Sequence, residues 1–231
     1  GSAQGTGAIN NLYATIQEAI DASPANTQIF VYSSGLSTAT AYAENLVLKA
    51  GQVITGASSQ FVVISGTVTT PTSGGTCYLE NLRIQTPSTA GNVSPINFAG
   101  GANVSNLQLS NCDINLYGGT GSCINWTNTN SASKLSSDGT SAWNVISSAN
   151  NAKLFTSLTG TAGTVILQNV SAQINDSINN KSYAIGGAVK FYHTLDNIYG
   201  QVVVSDTAQF FGTFLTIITG NVAALVTNSS S

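Results

Sequence analysis

A four-residue phrase recurs along this chain: Asn45-Leu46-Val47-Leu48, Asn81-Leu82-Arg83-Ile84 and Asn106-Leu107-Gln108-Leu109 all read N-L-x-aliphatic, and Val165-Ile166-Leu167 is a looser relative. Alternation along an extended strand turns the two aliphatics to one side and the residue between them to the other. Each phrase is therefore a half-buried strand. Separations of roughly 25 to 36 residues suit one turn of a solenoid per phrase. The asparagine then falls at a corner, where its amide satisfies bent backbone and bonds to the asparagine of the next turn. A second ladder is predicted between Phe98 of "PINFAG" and Trp126 of "SCINWTN", each two residues beyond an inward isoleucine.

The rest of the chain fits the same reading. Short apolar stretches such as "QIFVY" (28–32), "FVVIS" (61–65), "YLENLRI" (78–84), "CDINLY" (112–117), "TVILQNVSAQI" (164–174) and "QVVV" (201–204) follow one another between polar turns. The two-residue hairpin signal of the Asn-Gly or Asp-Gly type occurs only once, at Asp138-Gly139. Many strands without hairpin turns argue against a meander or sandwich and for strands wound into a coil. One segment breaks the pattern: Leu12, Ile16, Ala19 and Ile20 recur at helical spacing, with Glu18 and Asp21 opposite. Asn10 or Asn11 is the expected cap, and Ser23-Pro24 the stop, because the residue before proline avoids the α region. A helix this short needs a surface to cover. The expected organisation is a single domain, with residues 1–8 a cloning scar and disordered lead-in, 10–23 a capping helix and 28–226 the coils. With no methionine present, the chain reads as an excised or processed piece.

Charge narrows the functions. Asp, Glu, Lys and Arg make up 6% of the 231 residues, against about 25% in typical domains. Ser, Thr and Asn supply roughly a third of the chain instead. Hydrophobic residues at 42% and a net charge of −3 argue for a folded core rather than disorder. Six basic residues leave no footprint for nucleic acid, whose affinity comes from phosphate neutralisation. No apolar run is long enough for a membrane helix, and "FFGTFLTIITGNVAALV" (210–226) is broken by Gly, Thr and Asn. No membrane or nucleic-acid partner is expected. Cys77, Cys112 and Cys123 lack metal spacing, and His193 is the single histidine. No metal or other cofactor is expected, and the cysteines read as small buried residues.

"TIQEAIDASPANTQIFVY" followed by "YAENLVLKAGQVITG" (15–32 and 42–56) resembles the N-terminal signature of the pectin-lyase-like superfamily. The match runs through Ile16, Gln17, Ala19 and Ile20, then Tyr42 and Glu44, then Leu46, Leu48, Lys49, Gly51 and Gly56. It is close over about the first 60 residues and holds beyond them only as a rung pattern. "SSGLSTATA" departs from it, standing where the family has a tight Pro-Gly turn. The resemblance implies an all-β, right-handed parallel β-helix whose first coil is covered by the helix. It does not fix a function, since the superfamily holds lyases, hydrolases, adhesins and viral tailspikes.

The residues offer several chemistries. Asp113, Asp176 and Asp206 each follow a strand and are the candidate carboxylates for glycan hydrolysis or elimination, which needs a close pair. Arg83, near Glu80, is the candidate base of a lyase, without an acidic cluster to hold calcium. His193 with Asp196 is a candidate general base, without a nucleophile motif. Trp143, beside the loop "SSDGTSAW", and Trp126 are the candidate carbohydrate-binding residues, because sugar rings stack on exposed indoles. The ordinary roles compete: turn aspartates bonding their own backbone and core tryptophans. Phe210, Phe211, Phe214, Leu215, Ile217 and Ile218 exceed what one rung buries, which predicts a homotrimer closing its C-terminal ends together. The leading expectation is a structural or receptor-binding part of a virion fibre or tailspike-like appendage, on the virion surface or extracellular, that binds host glycans. A glycan hydrolase or lyase, and a bacterial surface adhesin, are the alternatives.

Overall fold

In the computed structural model the chain winds repeatedly through three sheets. The structure describes residues 3–5, 12–33, 40–60, 62–89, 91–138, 141–146, 152–168, 170–174, 181–194, 197–199, 201–213, 216–218 and 226–229. The first circuit passes through Gln28–Val31, Thr40–Tyr42 and Leu46–Val47, and the next through Val53–Gly56, Val62–Ser65 and Val68–Thr69. These triplets found sheets A, B and C, and each later circuit adds one strand to each sheet. Sheet A continues with Gly75–Glu80, Ser105–Ser110, Lys134–Asp138, Ala162–Gln168, Ala188–Thr194 and Gln209–Thr213. Sheets B and C are each 8-stranded, and every pairing in them is parallel. The protein is a parallel β-helix.

The core is built from columns, because each strand lies in register on the one before. In sheet B the inward column runs Ile64, Ile84, Ile114, Trp143. In sheet C it runs Val68, Ile96, Ile124, Phe155, Tyr183. Period-two alternation does the rest: Ser105–Ser110 alternates buried and half-buried without exception. The Phe98–Trp126 ladder is present, in register and stacked at 4.0 Å between ring centroids.

The N-L-x-aliphatic phrases do not stack on one another. Leu46-Val47 lies in sheet C, Arg83-Ile84 in sheet B and Leu107–Leu109 in sheet A. The true partner of Asn81-Leu82-Arg83-Ile84 is Asn111-Cys112-Asp113-Ile114. Both asparagines turn the A-to-B corner at positive φ, +55 and +50 degrees, which Asn tolerates better than most residues. Asn111 Nδ2 donates to Asn81 Oδ1 at 2.7 Å. For the same reason "YLENLRI" is two strands rather than one, broken at Asn81.

The N-terminal end is closed by the single helix among the described residues, Ile16–Ala22, with Ile16, Ala19 and Ile20 buried. It is shorter than the expected 10–23, because Thr15 caps it. Thr15 Oγ1 accepts from Glu18 N at 3.1 Å, and Glu18 Oε2 accepts from Thr15 N at 3.2 Å. Leu12 belongs to a two-residue strand and is 65% exposed, so it lies off the buried face. Asn10 and Asn11, the expected caps, lie outside the described residues. The lead-in is not wholly unstructured either: Ala3–Gly5 pairs antiparallel with Gln28–Val31 at the start of sheet A.

First-rung residues fasten the helix at both ends. The Glu44 carboxylate accepts from Ile16 N at 3.1 Å and Gln17 N at 2.9 Å, where the free amides of a helix start need an acceptor. Lys49 Nζ donates to Asp21 O at 2.7 Å in the last turn and to Ser23 O at 2.9 Å at the C-cap.

Candidate functional site

Neither tryptophan is available to a sugar. Trp126 and Trp143 are both 0% exposed, which corrects the expectation that they form a carbohydrate platform. Strand parity is the reason. Trp143 occupies the inward isoleucine column of sheet B, whatever the polarity of the loop before it. Trp126 lies inward on Phe98, and its indole Nε1 donates to Asn128 O at 3.1 Å and Ala162 O at 3.0 Å.

Among the described residues the candidate carboxylates, Asp113 and Asp206, are not brought together. Asp113 faces outward on sheet B and pairs with Arg83 of the preceding rung at 3.3 Å, so the candidate base and a candidate acid neutralise each other. Asp206 sits at a turn with φ of +57 degrees and accepts from Gly187 N at 2.8 Å and Thr159 Oγ1 at 3.1 Å. Its role there is structural: it ties its own turn to those of preceding rungs rather than to its own backbone. Glu80 accepts from Thr55 Oγ1 at 3.1 Å. Asp176 and Asp196 lie outside the described residues. His193 is fully buried in an inward column of sheet A, its Nδ1 3.3 Å from the Tyr183 hydroxyl.

The three cysteines are buried free thiols. Desolvation pushes Cys77 up to about 11 and Cys112 and Cys123 up to about 12, so they stay protonated and unreactive near neutrality. Among the described residues no group of three His, Cys, Asp or Glu could hold a metal ion.

A different site emerges on the outer face of sheet C. Asn97, Asn125 and Thr156 stack in register on the strands Ile96–Phe98, Ser122–Trp126 and Lys153–Ser157. The Asn125 amide makes a long donor contact to Asn97 Oδ1 at 3.5 Å, and the strand register holds the two side chains side by side. The B-to-C loops at 92–94 and 120–122 rise beside this column and wall off a cleft of about 510 Å³, with Lys153, Thr127 and Leu158 completing the lining.

The wall is rigid for local reasons. Ser122 N donates to Ser94 Oγ at 3.1 Å, and Lys153 N to Gly121 O at 3.1 Å, so the loops of successive rungs are bonded to one another. Gly121 has no alternative residue, because a Cβ there would overlap the Val93 carbonyl.

The cleft presents amide and hydroxyl groups in rows one strand apart, each able to donate and accept. Its size falls in the range of small-molecule sites, about 300–1,000 Å³. Among the described residues lining it Lys153 carries the only charge, and there is no carboxylate. Acid–base cleavage of a glycosidic bond needs two. The arrangement can hold a hydroxyl-rich ligand. The sequence held a signal for this site: "SPINF" and "SCINW" repeat, and the residue between the inward pair, Asn97 or Asn125, is the one that faces out. Comparison with known proteins found no family model, curated protein or solved structure that matches this chain.

Proposed function

We propose that this chain is a non-catalytic carbohydrate-binding rod, part of a fibre or tailspike-like appendage at a virion surface or outside a cell. The observation that carries the reading is the sheet C cleft: a row of fixed amides and hydroxyls, without a carboxylate among its described lining residues. Sugar hydroxyls are matched by such groups, and uncharged hydrogen-bond partners suit recognition without turnover. The parallel β-helix supports it, since a solenoid holds its outer columns at fixed spacing and makes a stiff display surface. The N-terminal likeness to the pectin-lyase-like superfamily fits the same reading.

The test is a glycan array on the full chain, with bound glycans recovered and sized. Specific binding without shortened product is expected. Asn97→Leu and Asn125→Leu should each abolish it while leaving the melting temperature within a few degrees, because both positions face outward. Shortened product would overturn the reading, and so would binding that survives both substitutions.

A further inference from the structure

Sheet A has a broad outer face, and its registers lay out three columns there. One flank runs Thr76, Asn106, Lys134, Thr164, Lys190 and Gln209. The other includes Glu80, Ser110 and Asp138, and then Gln168 and Thr194. The column between them carries no charge from Gln28 to Phe211, and over its last three rungs it is Ile166, Tyr192 and Phe211. Tyr192 and Phe211 stack at 4.7 Å with their planes 10 degrees apart, and Phe211 is 44% exposed. An ordered apolar stripe on a flat sheet marks an interaction surface.

We propose that its occupant is a second copy of this chain, packed sheet A to sheet A and parallel, about a two-fold axis that follows the solenoid axis. The charges select this arrangement. Such an axis keeps every rung at its own height and swaps the two flanks. Lys134 then faces Asp138 of the copy, Lys190 faces Thr194, Thr76 faces Glu80, and the central stripe meets itself. Two Lys134–Asp138 pairs form per dimer, and no like charges meet.

Within one chain these two residues cannot pair. They lie on the same strand four residues apart, about 13 Å at the strand rise. Among the described residues Asp138 Oδ1, which is buried, has no hydrogen-bond partner and Asp138 makes no ion pair. The antiparallel alternative, about an axis along the strands, places each flank on itself and sets the Lys134 and Lys190 flank against its own lysines. Like-charge juxtaposition disfavours it. Sheets packed face to face stand about 10 Å apart, within reach of a lysine from one and an aspartate from the other.

The interface is isologous, so it closes at two copies. It replaces the trimer closing at its C-terminal ends with a dimer joined along its flank. The structure separates Phe210 from Phe211 accordingly: Phe210 packs towards the core beside Phe191 at 5.9 Å, and Phe211 faces out. Phe214 and Leu215 lie outside the described residues.

Light scattering on the full chain across a concentration series tests this directly. The expected mass is twice 23.6 kDa. Lys134→Asp should raise the dimer dissociation constant by about tenfold or more, since it sets aspartate against aspartate. Adding Asp138→Lys to the same chain should restore it, because the swap reverses both members of each pair. Phe211→Ser should weaken the dimer while leaving the circular dichroism spectrum unchanged, which separates lost association from lost folding. A wild-type monomer at all concentrations, a trimer, or a double swap that fails to rescue would each overturn the proposal.

Discussion

The two tryptophans show how one side chain can carry opposite weights in one core. Trp126 stacks on Phe98 and its indole N–H serves two carbonyls, whereas the Trp143 N–H is buried with no acceptor among the described residues. Trp126→Phe therefore loses packing volume and strands two acceptors, while Trp143→Phe loses volume alone and removes an unsatisfied donor. Chemical denaturation should rank Trp126→Phe as the more damaging by about 1–2 kcal/mol, and equal losses would contradict the assignment. The cysteines give a second prediction. Their folded-state values are raised by burial from an ordinary 9.0 to about 11 for Cys77 and about 12 for Cys112 and Cys123. A raised value means the fold prefers the neutral thiol. That contribution is complete below about pH 9 and is lost as pH climbs toward 12. Urea midpoints should fall across this window, and fall less when all three are replaced by alanine. A midpoint that drops equally in both proteins would locate the alkaline sensitivity elsewhere. At this scale the sequence was legible where chemistry decides and opaque where parity decides. The shared isoleucine spacing pairs Phe98 with Trp126, as the register does. Trp143 misleads because its polar neighbours suggest exposure, while the strand phase turns it inward.

The helical cap shows how charge is spent in a chain that has little of it. Glu44 and Lys49 come from the first circuit, one at each end of the helix, satisfying amides and carbonyls that a helix of 7 residues leaves unpaired. Glu44→Ala removes the acceptor from two buried-facing amides and should cost about 1–2 kcal/mol. Glu44→Gln keeps one acceptor oxygen and should cost about half of that. Thermal melts rank the three proteins; an Ala variant no less stable than wild type would show the cap to be held by its apolar face alone. The apolar face of the cap was legible because it is a local pattern: Ile16, Ala19 and Ile20 lie within one turn or so. Its start was not, because Leu12 continues the helical spacing although the capping box at Thr15 and Glu18 has already set the start. Corners were harder still. Asn81 and Asn111 stack through a conformation, a positive φ, that sequence spacing does not express. The cleft likewise needs two loops from different rungs, 92–94 and 120–122, and only the register of the whole coil brings them side by side.

A solenoid touches itself only from rung to rung, so its stability is a chain of nearest-neighbour terms rather than one shared core. Central rungs have a neighbour on each side. At the N-terminal end the helix Ile16–Ala22 and the strand Ala3–Gly5 stand in for the missing neighbour. At the other end Gln209–Thr213, Thr216–Ile218 and Val226–Ser229 are the last strands of their sheets, and no described element covers them. Opening should therefore start there and move inward. Hydrogen exchange read by mass spectrometry should find the slowest amides in strands such as Ser105–Ser110 and Ser122–Trp126. The fastest strand amides should lie in the terminal three, with Val53–Gly56 closer to the centre than to them. Concentration sharpens the test. A dimer joined along sheet A leaves the terminal strand edges open, so the gradient should persist when the protein is concentrated. Chains closing tail to tail would pair those edges and erase it. A gradient that flattens with concentration would move the association from the flank to the end, and a flat profile at every concentration would show the rungs to open as one unit.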